Sequence, residues 1–114
     1  MNLFVDNWVN IDNISDETFE KPSKEDLGNL KVGFSVKISN NKERFWIEIV
    51  KIQDYYIIGK IDNNLIFNQK YDNNDLVLIE KKNILDIHDF GFKKIMLKYT
   101  KVKNKNKSRD KSKK

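Results

Sequence analysis

This chain of 114 residues lacks cysteine and alanine, and it has one proline, one histidine and four glycines. Without cysteine it has no disulfide, no thiolate nucleophile and no thiolate metal ligand. No apolar run approaches the roughly 20 residues of a membrane helix, and the N-terminus lacks the basic and apolar regions of a secretory signal. We therefore expect an intracellular protein, in the cytoplasm, the nucleus, or a viral factory or virion.

Charge is distributed very unevenly along the sequence. Residues 93–114, the basic tail, hold eleven basic residues and one acid, whereas residues 1–92 hold eleven basic and sixteen acidic residues. The net charge of +5 therefore comes from the tail, and such a segment contacts polyanions with little structural demand. Lys, Asn and Ile supply 20, 15 and 14 residues, a bias typical of an AT-rich genome that accounts for part of the lysine excess.

The first thirty residues are predicted to form a helical or irregular segment that packs on the rest of the fold. Pro22 ends any preceding helical turn because it has no N–H to donate. Ser23 is followed three residues later by Asp26, which resembles a capping box. We therefore predict a short helix over residues 24–29 that stops near Gly28.

From residue 31 the apolar residues recur with a period of two, which is typical of half-buried strands. Asparagine pairs separate the apolar runs, and asparagine suits tight turns because it tolerates left-handed backbone angles. Gly59 lies inside one run and indicates a bulge or a sharp bend. Five short strands are predicted, at residues 32–38, 45–52, 55–61, 65–67 and 76–80. They predict a mainly β fold over residues 31–90, a small SH3-like or partly open five-stranded barrel.

The segment that follows the predicted strands has two readings. Its apolar residues fit an amphipathic helix over residues 91–102, and Ile95, Leu97 and Tyr99 also fit strand alternation. We favour the helix. Residues 103–114 contain only Lys, Asn, Ser, Arg and Asp, which cannot bury apolar surface to offset the entropy of ordering. We therefore predict that residues 103–114 are disordered.

Five segments, in order, resemble the family known as domain of unknown function 2314. They are TFEKPS at 18–23, LKVGFSVK at 30–37, ERFWIEI at 43–49, Gly59, and ILDI at 84–87. The resemblance covers about residues 16–88 and implies a compact β-rich domain with no catalytic residues. Two features depart from the family pattern: a proline is missing near Leu65, and Asn73-Asn74-Asp75 replaces a Gly-Asp turn near Tyr71.

Candidates for catalysis and metal binding are few. His88 is flanked by Asp86 and Asp89, and a histidine oriented by an aspartate can act as a general base. We interpret this group as a solvated turn. The oxygen-rich segment 72–75 lacks the glycine and terminal glutamate of a calcium-binding loop, so we interpret it as a turn as well. We expect no catalytic activity, no metal site and no cofactor.

The strongest candidate for a contact face is aromatic. On the predicted strand, Trp46 lies on the face opposite Phe45 and Ile47, and a hairpin would bring Tyr55 or Tyr56 near it. Small barrels bind peptides or bases through such clusters. The alternative places Trp46 in the core, covered by the N-terminal segment. The predicted barrel face consists of Arg44, Trp46, Tyr55 and Tyr56.

Together these features predict a noncatalytic binding module. The barrel face contacts a protein or peptide partner, and the tail makes sequence-nonspecific electrostatic contact with nucleic acid or another polyanion. An accessory structural role in a viral or nucleoprotein particle is the alternative, and an enzyme of unknown type is third. The tail also fits a localisation signal or a segment without a specific role, and the oligomeric state is left open. The predicted phosphate contacts are Lys101, Lys103, Lys105, Lys107, Arg109, Lys111, Lys113 and Lys114.

Overall fold

A computed structural model describes residues 2–15, 20–67 and 70–89, and these residues form one six-stranded mixed sheet. The prediction of a mainly β fold is confirmed. The elements are β1 (Leu3–Phe4), α1 (Lys24–Gly28), β2 (Ser35–Ser39), β3 (Arg44–Ile52), β4 (Ile57–Ile61), β5 (Leu76–Ile79) and β6 (Asp86–His88). The strand order in the sheet is β1-β5-β4-β3-β2-β6. The predicted helix at 91–102 and the predicted disorder at 103–114 lie outside the described residues.

The alternation of core-facing and outward-facing side chains along β2 and β3 shows which face of the sheet packs into the core. These two strands are antiparallel, with Val36 opposite Ile47 and Ile38 opposite Phe45, and all four side chains are buried. Lys37 and Trp46 each lie between two of these buried residues in sequence. They point to the other face, because side chains alternate along a strand. The buried core consists of Val36, Ile38, Phe45, Ile47, Ile49, Ile57, Ile61, Tyr71, Val77, Ile79, Ile84 and Leu85.

The sheet is open, so the SH3-like or barrel form is not confirmed. Two strands that the sequence did not predict form its edges: β1 pairs parallel with β5, and β6 pairs antiparallel with β2. They span two and three residues, which is too short to show an alternating pattern. Four central strands, β2 to β5, form a simple antiparallel meander between them.

The prediction of a strand at residues 65–67 is wrong. Its backbone N–H groups donate to side chains instead of to a neighbouring strand: Leu65 donates to Asp72 Oδ1 at 2.8 Å, and Ile66 and Phe67 donate to the two oxygens of Glu43 at 3.2 Å. Ile66 and Phe67 are 81% and 63% exposed, and Leu65 is the residue of this run that packs, partly buried, against the core.

The turns and the helix follow the local sequence signals. Asn41 and Asn74 have φ values of 75° and 76°, the left-handed angles expected of asparagine in tight turns. Helix α1 has the predicted capping box, in which Ser23 Oγ accepts from the Asp26 N–H at 3.0 Å. Strand β2 begins three residues later than predicted, because Gly33 takes a φ of 98° and the Phe34 N–H turns back to the Lys31 carbonyl.

Gly59 marks a close approach between β4 and β3. It lies opposite Ile49, and a Cβ at this position would collide with the side chain of Ile47. The β3–β4 register shifts between Ile49 and Lys51, so the bulge that Gly59 suggested lies beside it, in the partner strand. Glycine is therefore needed here for space and not for backbone angle.

Candidate functional site

Trp46 lies on the outer face of the sheet, on a central strand. Its neighbours in sequence, Phe45 and Ile47, are buried in the core, whereas Trp46 itself is half-buried. The other tryptophan, Trp8, packs on the opposite face, where its ring contacts Phe45 and Tyr71 and its Nε1 donates to the Leu78 carbonyl at 2.8 Å. The N-terminal segment therefore covers the core through Trp8, and it does not bury Trp46 there.

Two side chains from neighbouring strands contact the Trp46 ring. Lys37 lies directly opposite on β2, and its Nζ is 5.0 Å from the ring centroid in a cation–π contact. His88 on β6 meets the ring edge-on, with centroids 6.3 Å apart and planes at 89°. His88 reaches Trp46 diagonally because its direct partner on β2 is the small residue Ser35. We call Lys37, Trp46 and His88 the outer-face cluster.

Arg44 extends this cluster toward the β2–β3 turn. It precedes Trp46 by two residues on the same face, which places the two Cα atoms about 7 Å apart. Arg44 and Lys42 are the basic residues that line a depression of about 340 Å³ between this turn and the N-terminal segment. The acidic residue Glu43 and the polar residues Asn13, Ser39 and Asn41 also line it.

Three acidic side chains also lie near the cluster. Glu48 lies opposite Lys60 in the β3–β4 register, an oppositely charged cross-strand pair. Glu43 accepts the N–H groups of residues 66 and 67, and Asp86 Oδ1 accepts the Ile87 N–H at 2.8 Å. The face around Trp46 therefore carries both signs of charge: Lys37 and Arg44 are cationic, and Glu48 and Asp86, which adjoin Trp46 and Lys37 respectively, are acidic.

The structure does not bring Tyr55 or Tyr56 to Trp46. Both lie in the β3–β4 turn, where the Gln53 N–H donates to the Tyr56 carbonyl at 2.9 Å. Trp46 is six residues from Ile52, the last residue of β3, and that length of strand spans about 20 Å. Of the four predicted residues of the barrel face, Arg44 and Trp46 are neighbours and the two tyrosines lie at the far end of the strand; Tyr55 is 89% exposed.

A buried polar network lies beneath the same end of the sheet. The Tyr71 hydroxyl donates to Asp6 Oδ2 at 2.6 Å and accepts from Asn40 Nδ2 at 3.1 Å. Asn40 Oδ1 in turn accepts the N–H groups of Lys42 and Glu43. The Tyr71 hydrogen bond holds the pKa of Asp6 below its ordinary value. This network ties the N-terminal segment to the turn that presents Arg44.

The candidates for catalysis and metal binding lie in a short strand and a turn. The interpretation of the His88 group as a turn is wrong, because Asp86–His88 form edge strand β6, where His88 is exposed and contacts Trp46. Residues 72–75 form a turn as predicted, in which Asp72 Oδ1 accepts hydrogen bonds from the N–H groups of Leu65 and Asn73. These two backbone hydrogen bonds lower the pKa of Asp72. Within residues 2–15, 20–67 and 70–89, no three His, Cys, Asp or Glu side chains are grouped to hold a metal ion.

The eight predicted phosphate contacts in the basic tail lie outside the described residues. Among the residues that are described, no helix is long and apolar enough to cross a membrane. Comparison with protein-family models, curated proteins and solved structures gave no match. The resemblance to domain of unknown function 2314 therefore stays a prediction.

Lys37 and His88 are the neighbours of Trp46 that were not predicted from the sequence. Lys37 had a usable signal: a turn centred on Asn40-Asn41 would pair Lys37 with Arg44, on the face that also carries Trp46. The observed turn spans residues 40–43 and pairs Lys37 with Trp46 itself. His88 had none, because β6 is three residues long and its pairing with β2 is set by the tertiary fold.

Proposed function

We propose that this protein is a noncatalytic binding module that attaches to nucleic acid through its basic tail and uses the outer-face cluster as a second contact surface. The observation that carries the proposal is the separation of charge. Residues 1–92 have five more acidic than basic residues, whereas the tail has ten more basic than acidic residues. A segment of this charge contacts phosphates through counterion release, without reading sequence.

The position of the tail in the chain supports the two-surface arrangement. The tail begins five residues after His88, so the chain enters it directly from the strand that contacts Trp46. A ligand held by the tail is therefore tethered near the outer-face cluster, which raises the local concentration of that ligand there. Contact at the second surface then adds affinity that the tail alone does not supply.

Two full-length variants test the role of the tail. In the Gln-tail variant, the eight predicted phosphate contacts are replaced by glutamine, and in the Arg-tail variant the seven lysines among them are replaced by arginine. We expect the Gln-tail variant to lose most of its affinity for mixed-sequence oligonucleotides at about 0.1 M salt, and the Arg-tail variant to keep it. Equal binding by wild type and the Gln-tail variant would contradict the proposal.

A further inference from the structure

We propose that the outer-face cluster is a stacking site for an unpaired base, so that the nucleic acid this protein binds is single-stranded. The inference rests on the proposed function, since it names the ligand of the second surface. Trp46 supplies a large π-face on a central strand, and aromatic rings on sheet surfaces bind successive bases by stacking without reading their identity. Lys37 and Arg44 supply the adjacent cations.

The contact between Lys37 and Trp46 shows where the base binds. In the unliganded protein the Lys37 ammonium covers the ring, at 5.0 Å from its centroid. Lys37 and Trp46 are both partly buried, so their cation–π contact is of the same order as a stacked base. The base displaces the ammonium because the released lysine gains a phosphate contact in exchange. The lysine has a flexible stem, and its released ammonium becomes a phosphate ligand beside the stacked base. Lys37 thus changes partner, from the ring to the phosphate, when the nucleic acid binds.

Arg44 and the depression beside it receive the neighbouring phosphate. Arg44 lies about 7 Å along the strand from Trp46 on the same face, and a guanidinium binds phosphate oxygens in pairs. The same depression is lined by Lys42, Asn13, Asn41 and Glu43. Glu43 accepts hydrogen bonds from the N–H groups of Ile66 and Phe67. The depression thus has two cations, Arg44 and Lys42, against the one carboxylate of Glu43, and this net positive charge favours a phosphate.

A duplex does not fit this arrangement. Its bases are stacked on each other and paired, so their faces are not available to Trp46 without a cost in unpairing. A single strand presents each base face, and its backbone bends to follow both the ring and the basic residues. The outer face therefore adds affinity for single strands, whereas the tail binds both forms.

The test uses the full-length protein and two probes of about 16 nucleotides, the upper end of site sizes for small single-strand binders. One probe is oligothymidylate and the other is an abasic strand with the same phosphates and no bases. Trp46→Leu removes the π-face but keeps a bulky apolar side chain, and Trp46→Phe keeps a ring. We expect Trp46→Leu to weaken oligothymidylate binding about 5- to 100-fold and leave abasic binding unchanged.

Fluorescence gives an independent readout from the same variants. In wild type, oligothymidylate quenches the emission of Trp46, and in Trp46→Phe the remaining tryptophan, Trp8, is on the core face and keeps its emission although binding persists. Lys37→Gln weakens binding to both probes, since it removes a phosphate contact. Matching circular dichroism spectra and melting temperatures establish that the variants are folded.

The outcomes separate this inference from the proposed function. If Trp46→Leu binds both probes as wild type does, while the Gln-tail variant loses both, the stacking site is overturned and the tail proposal stands; the outer face is then left to a protein partner. If the Gln-tail variant binds as wild type does while Trp46→Leu loses oligothymidylate, the proposed role of the tail is overturned and the stacking site stands. Equal affinity of wild type for oligothymidylate and the abasic strand also overturns the stacking site.

Discussion

Removing the Tyr71 hydroxyl tests whether the buried network fixes the end of the sheet that carries Arg44. Tyr71→Phe keeps the ring and its contacts with Trp8 and Phe45, at centroid distances of 5.6 and 6.2 Å, and removes the two hydrogen bonds. A hydrogen bond to a charged group contributes about 1.5–3 kcal/mol and a neutral one about 0.5–1.5 kcal/mol. Because the Asp6 carboxylate is rehydrated in the variant, we expect a net loss of about 2 kcal/mol.

Urea denaturation measures this loss as a lower midpoint with an unchanged m-value, since the ring still fills the core. In a double-mutant cycle, Asp6→Asn in the Tyr71→Phe background costs less than Asp6→Asn in wild type, because the two residues interact directly. A loss below about 0.5 kcal/mol for Tyr71→Phe would refute the reasoning, as it is no larger than the effect of an ordinary surface substitution.

The stability difference between wild type and Tyr71→Phe should depend on pH. The folded-state pKa of Asp6 lies below its unfolded value, so its hydrogen bond with Tyr71 stabilises the protein above about pH 4. This contribution is lost as the pH falls through the lower, folded-state pKa. The stability difference between wild type and Tyr71→Phe therefore shrinks in acid, to the part contributed by Asn40. A difference that stays constant down to about pH 2 contradicts the assignment of the pKa shift to Tyr71.

Two further predictions concern packing and the exposed loop. Gly59→Ala should destabilise the protein by about 1–3 kcal/mol in a thermal melt, because its Cβ meets the Ile47 side chain, and adding Ile47→Val should restore part of that stability by removing the nearest methyl group. An unchanged melt for Gly59→Ala would contradict the close approach. Glu43→Ala should speed amide hydrogen exchange at Ile66 and Phe67, because their N–H groups donate hydrogen bonds to the Glu43 carboxylate. Unchanged exchange rates would contradict that interaction.

The local elements of the fold could be predicted because their signals lie within a few residues. The alternation through Phe45 and Ile47 identified the buried face of β3, and Ser23 with Asp26 identified the start of α1. The apolar run at residues 65–67 misled the prediction because hydrophobicity does not show that Glu43, which lies 23 residues before Ile66, binds its backbone N–H groups. Local sequence could not reveal these long-range hydrogen bonds.

Part of the site could also be predicted from a local pattern. Trp46 and Arg44 lie on one strand, so alternation alone placed them on one face. The expectation that the tyrosines lie near Trp46 is wrong because proximity in sequence across a turn is not proximity in space. The length of β3 separates them from Trp46 by about 20 Å. The contacts made by Lys37 and His88 depend on pairing between strands, which is a property of the whole sheet.

The salt dependence of binding tests most directly whether the tail attaches the protein to nucleic acid. The measurement is the slope of log affinity against log salt concentration for oligothymidylate, in wild type, the Gln-tail variant and the Arg-tail variant. Each neutralised phosphate contributes about −0.7 to this slope on single strands. We predict a steep slope that the Arg-tail variant keeps and that becomes shallower in the Gln-tail variant by about 0.7 for every phosphate that the tail no longer neutralises. The same slope in all three proteins would contradict electrostatic attachment through the tail.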